Sequence, residues 1–150
     1  MGPERIAFGI DLRSWLPVLS VISLGGGLGS SARYGVSMLL PAEPGEFPWA
    51  TLLVNVLGCS LMGIAMVLIT EVWSTHRLLR PCRGVGVLGG FTTFSTYAGE
   101  VHQQLMSGNA AVAFGYLVGT VLGALLAVLA GVRCARRTAE ALRTRRRAQW

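Results

Sequence analysis

The sequence predicts an all-α membrane protein with four transmembrane helices, the third broken near mid-membrane. Composition is the first sign. Of 150 residues 52% are apolar and only 13% charged, with a mean hydropathy of +0.55, whereas a soluble domain carries about 25% charge. So little polar surface cannot cover a water-soluble globule, and so apolar a chain is not a disordered segment. The second sign is a set of uncharged stretches long enough, or nearly so, for a hydrocarbon core of about 30 Å, which takes roughly 20 helical residues. The third is a knot of glycine and threonine inside one of those stretches, both poor helix formers.

Residues 1–13 form a short N-terminal segment carrying Arg5 and Arg13, and residues 14–133 form the membrane domain. The first span is expected over 15–39. It follows two arginines as a signal peptide would, but it exceeds the length of such a segment, lacks a clear small-residue cleavage site and is followed by further spans, so it is read as a retained helix. Pro41-Ala-Glu-Pro-Gly-Glu-Phe-Pro48 is turn chemistry. The second span, 48–71, is uncharged from Trp49 to Thr70 and contains Asn55. Ser74 to Arg83 forms the next loop, and the third span is placed at 84–105. Ser107-Gly108-Asn109 turns the chain into the fourth span, 110–132. Residues 134–150 are an Arg-rich tail read as a solvated or lipid-associated helix.

All thirteen basic side chains are arginine, against seven acids. Twelve of them lie in the N-terminal segment, the second loop and the tail, and only Arg33 lies on the other side. This asymmetry fits positive-inside topology better than phosphate contacts, so nucleic acid is not an expected partner and both termini are placed in the cytoplasm. Cys59, Cys82 and Cys134 are odd in number without metal-ligand spacing, which indicates neither a disulfide framework nor a zinc site.

Small residues recur every four positions at Gly115, Gly119, Gly123, Ala127 and Gly131, and the same spacing returns at Gly25/Gly29 and Gly86/Gly90. Such faces let helix backbones approach closely in lipid, by self-packing, through a partner subunit, or both.

The third span reads Gly84-Val-Gly-Val-Leu-Gly-Gly-Phe-Thr-Thr-Phe-Ser-Thr-Tyr-Ala-Gly99. A break is expected near Gly89 to Thr93. Non-helical backbone at that depth survives only where protein buries it or a cavity receives it. Its freed carbonyls can coordinate a hard cation such as Na⁺; the plainer alternative is a glycine kink whose hydroxyls bond back to their own backbone. Asn55 serves either as interhelical glue or as an NH₂ donor to an anion. Phe94 and Tyr97, three apart, either fill space or turn electropositive ring edges toward a small anion, the weak multi-site binding that conduction needs. Tyr116 and Thr120 form an i,i+4 hydroxyl pair that can continue a donor track. Arg33 either snorkels to the interface or concentrates anions at a vestibule.

Three stretches together resemble the bacterial fluoride-channel family, the small four-span CrcB (Fluc) proteins: Gly25-Gly-Gly-Leu-Gly-Ser-Ser-Ala-Arg-Tyr34, Pro48-Trp-Ala-Thr-Leu-Leu-Val-Asn-Val-Leu-Gly58 and Gly89-Gly-Phe-Thr-Thr-Phe-Ser-Thr-Tyr97. The resemblance covers roughly residues 20 to 130 and implies an antiparallel dimer in the cell membrane, exporting fluoride passively and so lowering its toxicity. It further implies a structural, non-transported Na⁺ at the dimer centre, held by the main-chain carbonyls of Gly89 and Thr92 from both subunits. Asn55 matches the pore-facing asparagine and Phe94 the first of two fluoride-contacting phenylalanines. Tyr97 departs from the second. Ser95 and Thr96 match hydroxyl positions beside the aromatics, Tyr116 and Thr120 a tyrosine and a serine along the fourth span, and Ala124 lacks a hydroxyl that some members carry.

Homodimers whose copies insert in opposite directions need weak charge bias, and twelve to one fixes one orientation, so an oppositely inserted homologue is the expected partner. The rivals are a proton-coupled small multidrug transporter, which needs an intramembrane carboxylate, and a non-transporting scaffold. Glu71 and Glu100 both fall near span boundaries. An enzyme is not expected, because neither His76 nor His102 sits in a nucleophile-and-base pattern.

Overall fold

The structure, a computed structural model, describes residues 12–43, 45–72 and 86–147, with backbone alone at 12–14, 142–143 and 145–147. All its regular elements are helical: α1 (Leu12–Leu39), α2 (Trp49–Val67), α3 (Gly89–Phe91), α4 (Ser95–Met106) and α5 (Ala110–Arg147), with a π-helical turn over Leu68–Val72 extending α2. The N-terminal arginines at 5 and 13, the loop from Ser74 to Arg83, Gly84, Cys82 and His76 lie outside the described residues or side chains.

Among the described residues, three helical stretches are long and apolar enough to cross a bilayer: Trp15–Leu39, Trp49–Glu71 and Ala110–Ala141. The expected third span is not one of them, because its helix is interrupted. Residues 86–88 make a π turn that leads into the single turn of α3, and α4 follows after Thr92 to Phe94. At the far end, α5 continues without interruption through residue 133 into the arginine-rich segment. Its 38 residues span about 57 Å at roughly 1.5 Å per residue, well beyond the apolar thickness of a bilayer.

Glycine sets how the helices meet. α2 packs most extensively on α5, α1 on α3, and α4 on the first half of α5. A methyl group added to Gly63 would overlap the Val128 carbonyl, and one on Gly131 would overlap that of Ser60. The α1–α3 contact is of the same kind: Gly29 lies against the backbone of Val87 and Phe91, and Gly90 against that of Gly26. In lipid such close backbone approach supplies the dispersion contacts that hold helices together. Gly115 and Gly119, by contrast, face open space, so only the later part of the α5 stripe is used within this chain. Gly131→Ala is accordingly expected to destabilise the fold by about 1–3 kcal/mol, while Gly35→Ala, with nothing within 4 Å, leaves it unchanged. Thermal unfolding in detergent reads both.

The two described connections close the end opposite the tail. Gly45 (φ 97°) lies in the 41–48 turn and Gly108 (φ 78°) ends α4, where the left-handed conformation favours glycine. Gln104 donates from Nε2 to the Glu46 carbonyl at 2.5 Å, and Phe47 meets Tyr116 edge-on at 5.3 Å between centroids. At the tail end, an exposed ion pair joins Arg136 to Glu71 at 2.9 Å, a contact worth little by itself. Cys59 is half-buried, and Cys134 is exposed; both are free thiols.

Candidate functional site

The break lies at Thr92 to Phe94, at the edge of the expected Gly89 to Thr93. Gly89 and Gly90 remain helical; the chain departs only at Thr92, whose ψ of 155° is extended. Side chains, rather than glycine, hold this departure. The Thr93 N–H donates to Asn55 Oδ1 at 2.8 Å, and Asn55 Nδ2 donates to the Thr93 carbonyl at 3.0 Å. A single buried amide on α2 thus satisfies both main-chain groups of the residue at the break.

In an uninterrupted helix, the Thr93 N–H would reach the Gly89 carbonyl and the Thr96 N–H would reach that of Thr92. The first is taken by Asn55 and the second by Thr93 Oγ1, at 3.2 Å, which caps the start of α4. Both carbonyls singled out from the sequence therefore lose their helical donors. Gly89 is also exposed, with nothing within 4 Å of a methyl placed there. Oxygen donors at an irregular turn suit a hard monovalent cation, so the residues present fit Na⁺. No cluster of three His, Cys, Asp or Glu suited to a metal occurs among the described residues.

Arg33 reaches the same turn. Its Nε donates to the Gly90 carbonyl at 3.3 Å and its Nη1 to Thr96 Oγ1 at 3.3 Å, while Ser30 Oγ donates to Gly90 at 3.4 Å. Arg33 is half-buried against the break. It also lines a cavity of about 330 Å³ together with Ser37, Thr51, Thr96 and Glu100. Ser95 and Thr96 are exposed, their hydroxyls 3.3 and 3.0 Å from Thr93 Oγ1.

The aromatic residues form a second group. Phe94 is 78% exposed on the protein surface. Its ring lies 5.8 Å from that of Tyr97, and Tyr97 meets the fully buried Tyr116 at 5.3 Å in an edge contact. The Tyr97 hydroxyl donates to the Leu117 carbonyl at 2.8 Å. Thr120, one turn beyond Tyr116, is buried, and its hydroxyl has no partner.

Sequence reasoning placed Glu100 near a boundary and passed over it. Here it is half-buried between helices, accepting from Thr51 Oγ1 at 2.8 Å on one oxygen and from the Tyr116 hydroxyl at 2.6 Å on the other. A signal was present, since Glu100 follows Thr96 by four residues and Tyr97 by three, on their face of α4.

The family described as "CrcB-like protein, Camphor Resistance (CrcB)" matches residues 20–132. The chain belongs to the CrcB family. It is 58% identical over 119 residues to fluoride-specific ion channel FluC 2 of Nocardia farcinica, covering 79% of this chain and 85% of that protein. It is 49% identical over 125 residues to fluoride-specific ion channel FluC 1 of Streptomyces coelicolor, covering 83% and 81%. Fluoride-specific ion channel FluC of Paracoccus denitrificans is 43% identical over 115 residues, covering 77% and 91%. Among the described residues, the three helices long enough to cross a bilayer begin within the CrcB match or close to it, and the whole break lies inside it.

Proposed function

We propose that this CrcB chain is a fluoride-specific channel that lets F⁻ leave the cytoplasm passively. The observation that carries the reading is the break at Thr92 to Phe94, held by Asn55 and flanked by an outward-facing phenylalanine. Fluoride is small and strongly hydrated, so a dry path must replace its water with several hydrogen-bond donors and ring edges. Arg33 draws anions to the polar cavity. Ser95, Thr96, Tyr116 and Thr120 supply hydroxyls, Phe94 and Tyr97 ring edges, and the second N–H of the Asn55 amide remains for the anion. HF that enters an acidified cell dissociates, and an inside-negative potential drives its anion outward by about 2.3 kcal/mol per 100 mV.

In this reading the third segment completes a fourth, discontinuous span, and two chains pair antiparallel in the cell membrane with both termini of this chain in the cytoplasm. The Gly89 and Thr92 carbonyls of both subunits would hold one Na⁺, and its charge would offset that of a nearby anion in low dielectric. The arginine bias favours an oppositely inserted homologue as the second subunit. Glu100 supplies the carboxylate that a proton-coupled carrier needs. Both of its oxygens, however, already accept hydroxyl donors, and membership in CrcB favours the channel.

Efflux from liposomes, with fluoride and chloride measured side by side, tests the proposal. Fluoride is expected to leave while chloride stays. Flux from the single purified chain would remove the case for an obligate partner; silence there, with flux after co-expression of an oppositely biased homologue, would establish the pair. Equal chloride efflux, or silence in both preparations, overturns the channel.

A further inference from the structure

We propose that Arg33 is a positioning residue for the cation site. By gripping the Gly90 carbonyl and the Thr96 hydroxyl, it turns the broken segment so that the carbonyls of Gly89 and Thr92 stay open to Na⁺. The inference rests on the sodium site in the channel reading above and gives Arg33 a task beyond drawing anions to the cavity.

The carbonyls around the break fall into two sets. That of Leu88 accepts from the Thr92 N–H at 3.0 Å and from Thr92 Oγ1 at 3.1 Å, and that of Thr93 accepts from Asn55 Nδ2 at 3.0 Å. In a continuous helix the Phe94 N–H would serve Gly90, but the extended ψ of Thr92 carries Phe94 out of register. α1 supplies the replacement, with Arg33 Nε at 3.3 Å and Ser30 Oγ at 3.4 Å. Gly89 and Thr92 make up the other set, their helical donors diverted to Asn55 and to Thr93 Oγ1. Donors from the protein thus cover the carbonyls on either side of Gly89.

Successive carbonyls of a helix point about 100° apart around its axis, so fixing one aims the next. The contact between α1 and α3 is a glycine seam, with Gly90 against the backbone of Gly26 and Gly29 against that of Val87 and Phe91. Such a seam sets the distance between backbones but offers no side chain to resist rotation or sliding. Ser30 and Arg33, three apart on one face of α1, supply that resistance at Gly90. The second arm of the guanidinium acts on the other carbonyl. Nη1 donates to Thr96 Oγ1 at 3.3 Å, and the same oxygen accepts from Thr93 Oγ1 at 3.0 Å. This chain of donors holds Thr93 Oγ1 where it takes the Thr96 N–H at 3.2 Å, away from Thr92. A planar guanidinium can make both contacts at once. Its charge alone would work the other way, since a positive group near Na⁺ repels it.

Sodium-dependent stability of the preparation that conducts tests the proposal without recourse to flux. Melting temperature in detergent is followed as NaCl replaces KCl at constant ionic strength, for wild type, Arg33→Gln, Arg33→Met and Ser30→Ala. The glutamine amide nitrogen lies as many bonds from the backbone as arginine Nε, so Arg33→Gln keeps a donor for Gly90 without the charge, whereas Arg33→Met keeps bulk alone. Arg33→Met is expected to raise the sodium concentration at half-maximal stabilisation about tenfold, Ser30→Ala roughly two- to threefold, and Arg33→Gln by less than about threefold. Ser30→Ala, which removes only one of the two donors to Gly90, carries the test if Arg33→Met does not fold. A role through charge predicts that the two neutral variants at position 33 shift alike, toward tighter sodium binding. A purely structural role predicts lower melting temperatures in KCl with the sodium midpoint unmoved. Either pattern overturns the proposal, as does wild-type protein that sodium stabilises no better than potassium. Selectivity for fluoride over chloride in liposomes judges the channel separately, so a selective channel indifferent to sodium would sink this inference and leave the channel standing.

Discussion

Asn55→Ala is expected to abolish fluoride conduction and to lower thermal stability at the same time. The substitution strips both main-chain partners from Thr93, and each unpaired buried group costs about 1–3 kcal/mol, more where lipid is the only solvent. The third segment then gains by closing its helix, which returns the Thr93 N–H to the Gly89 carbonyl and erases the turn. A loss on the order of 100-fold in flux is expected, together with a lower melting temperature in detergent. Asn55→Asp separates the two contributions. It keeps an acceptor for the Thr93 N–H but loses the donor to the Thr93 carbonyl, so some of the turn survives while conduction does not. An alanine variant that conducts within about twofold of wild type would remove Asn55 from the structure of the break.

Phe94→Ile is the second large effect, and its signature is different. The ring is 78% exposed and lies 5.8 Å from that of Tyr97. Losing it costs at most about 0.5–1.5 kcal/mol of aromatic contact, and the fold should persist. Isoleucine has comparable bulk but no electropositive edge, so fluoride flux should fall by at least about tenfold, the equivalent of 1.4 kcal/mol in the barrier. Flux and thermal unfolding on the same preparation check the pair of expectations. Unaltered flux would mean that the exposed ring serves packing against a second subunit and not the anion.

Periodicity and composition made the membrane class and the three long helices legible, because apolar length is a property of consecutive residues. The break was visible within a few residues for the same reason, since Gly89, Gly90, Thr92 and Thr93 are neighbours in the chain. What holds it open was not visible. Asn55 and Thr93 are 38 positions apart, and nothing in either local pattern says that an amide on one helix takes both main-chain groups on another. Glycine and threonine weakness together pointed to a break near Gly89 to Thr93; within that range Gly89 stays helical and the chain leaves the helix at Thr92. Arg33 could be placed at the end of a span but not against the Gly90 carbonyl, a contact that depends on the close approach of α1 at Gly29 and Gly90. Glu100 was missed because nearness to a span boundary was read as distance from the site, and Tyr116 brings it back.

The pairing of Asn55 with Thr93 makes the discontinuity a portable device. One side chain, that of Asn55, writes it on the main chain of Thr93, so it can be inherited, lost or grafted with a single residue, without any change in the glycine content around it. A relative that exchanged Gly90 for a larger residue would have to move its first helix outward yet could keep its kink, whereas one that drifted at Asn55 would straighten. Tracing position 55 across descendants would then date the discontinuity more sharply than counting glycines.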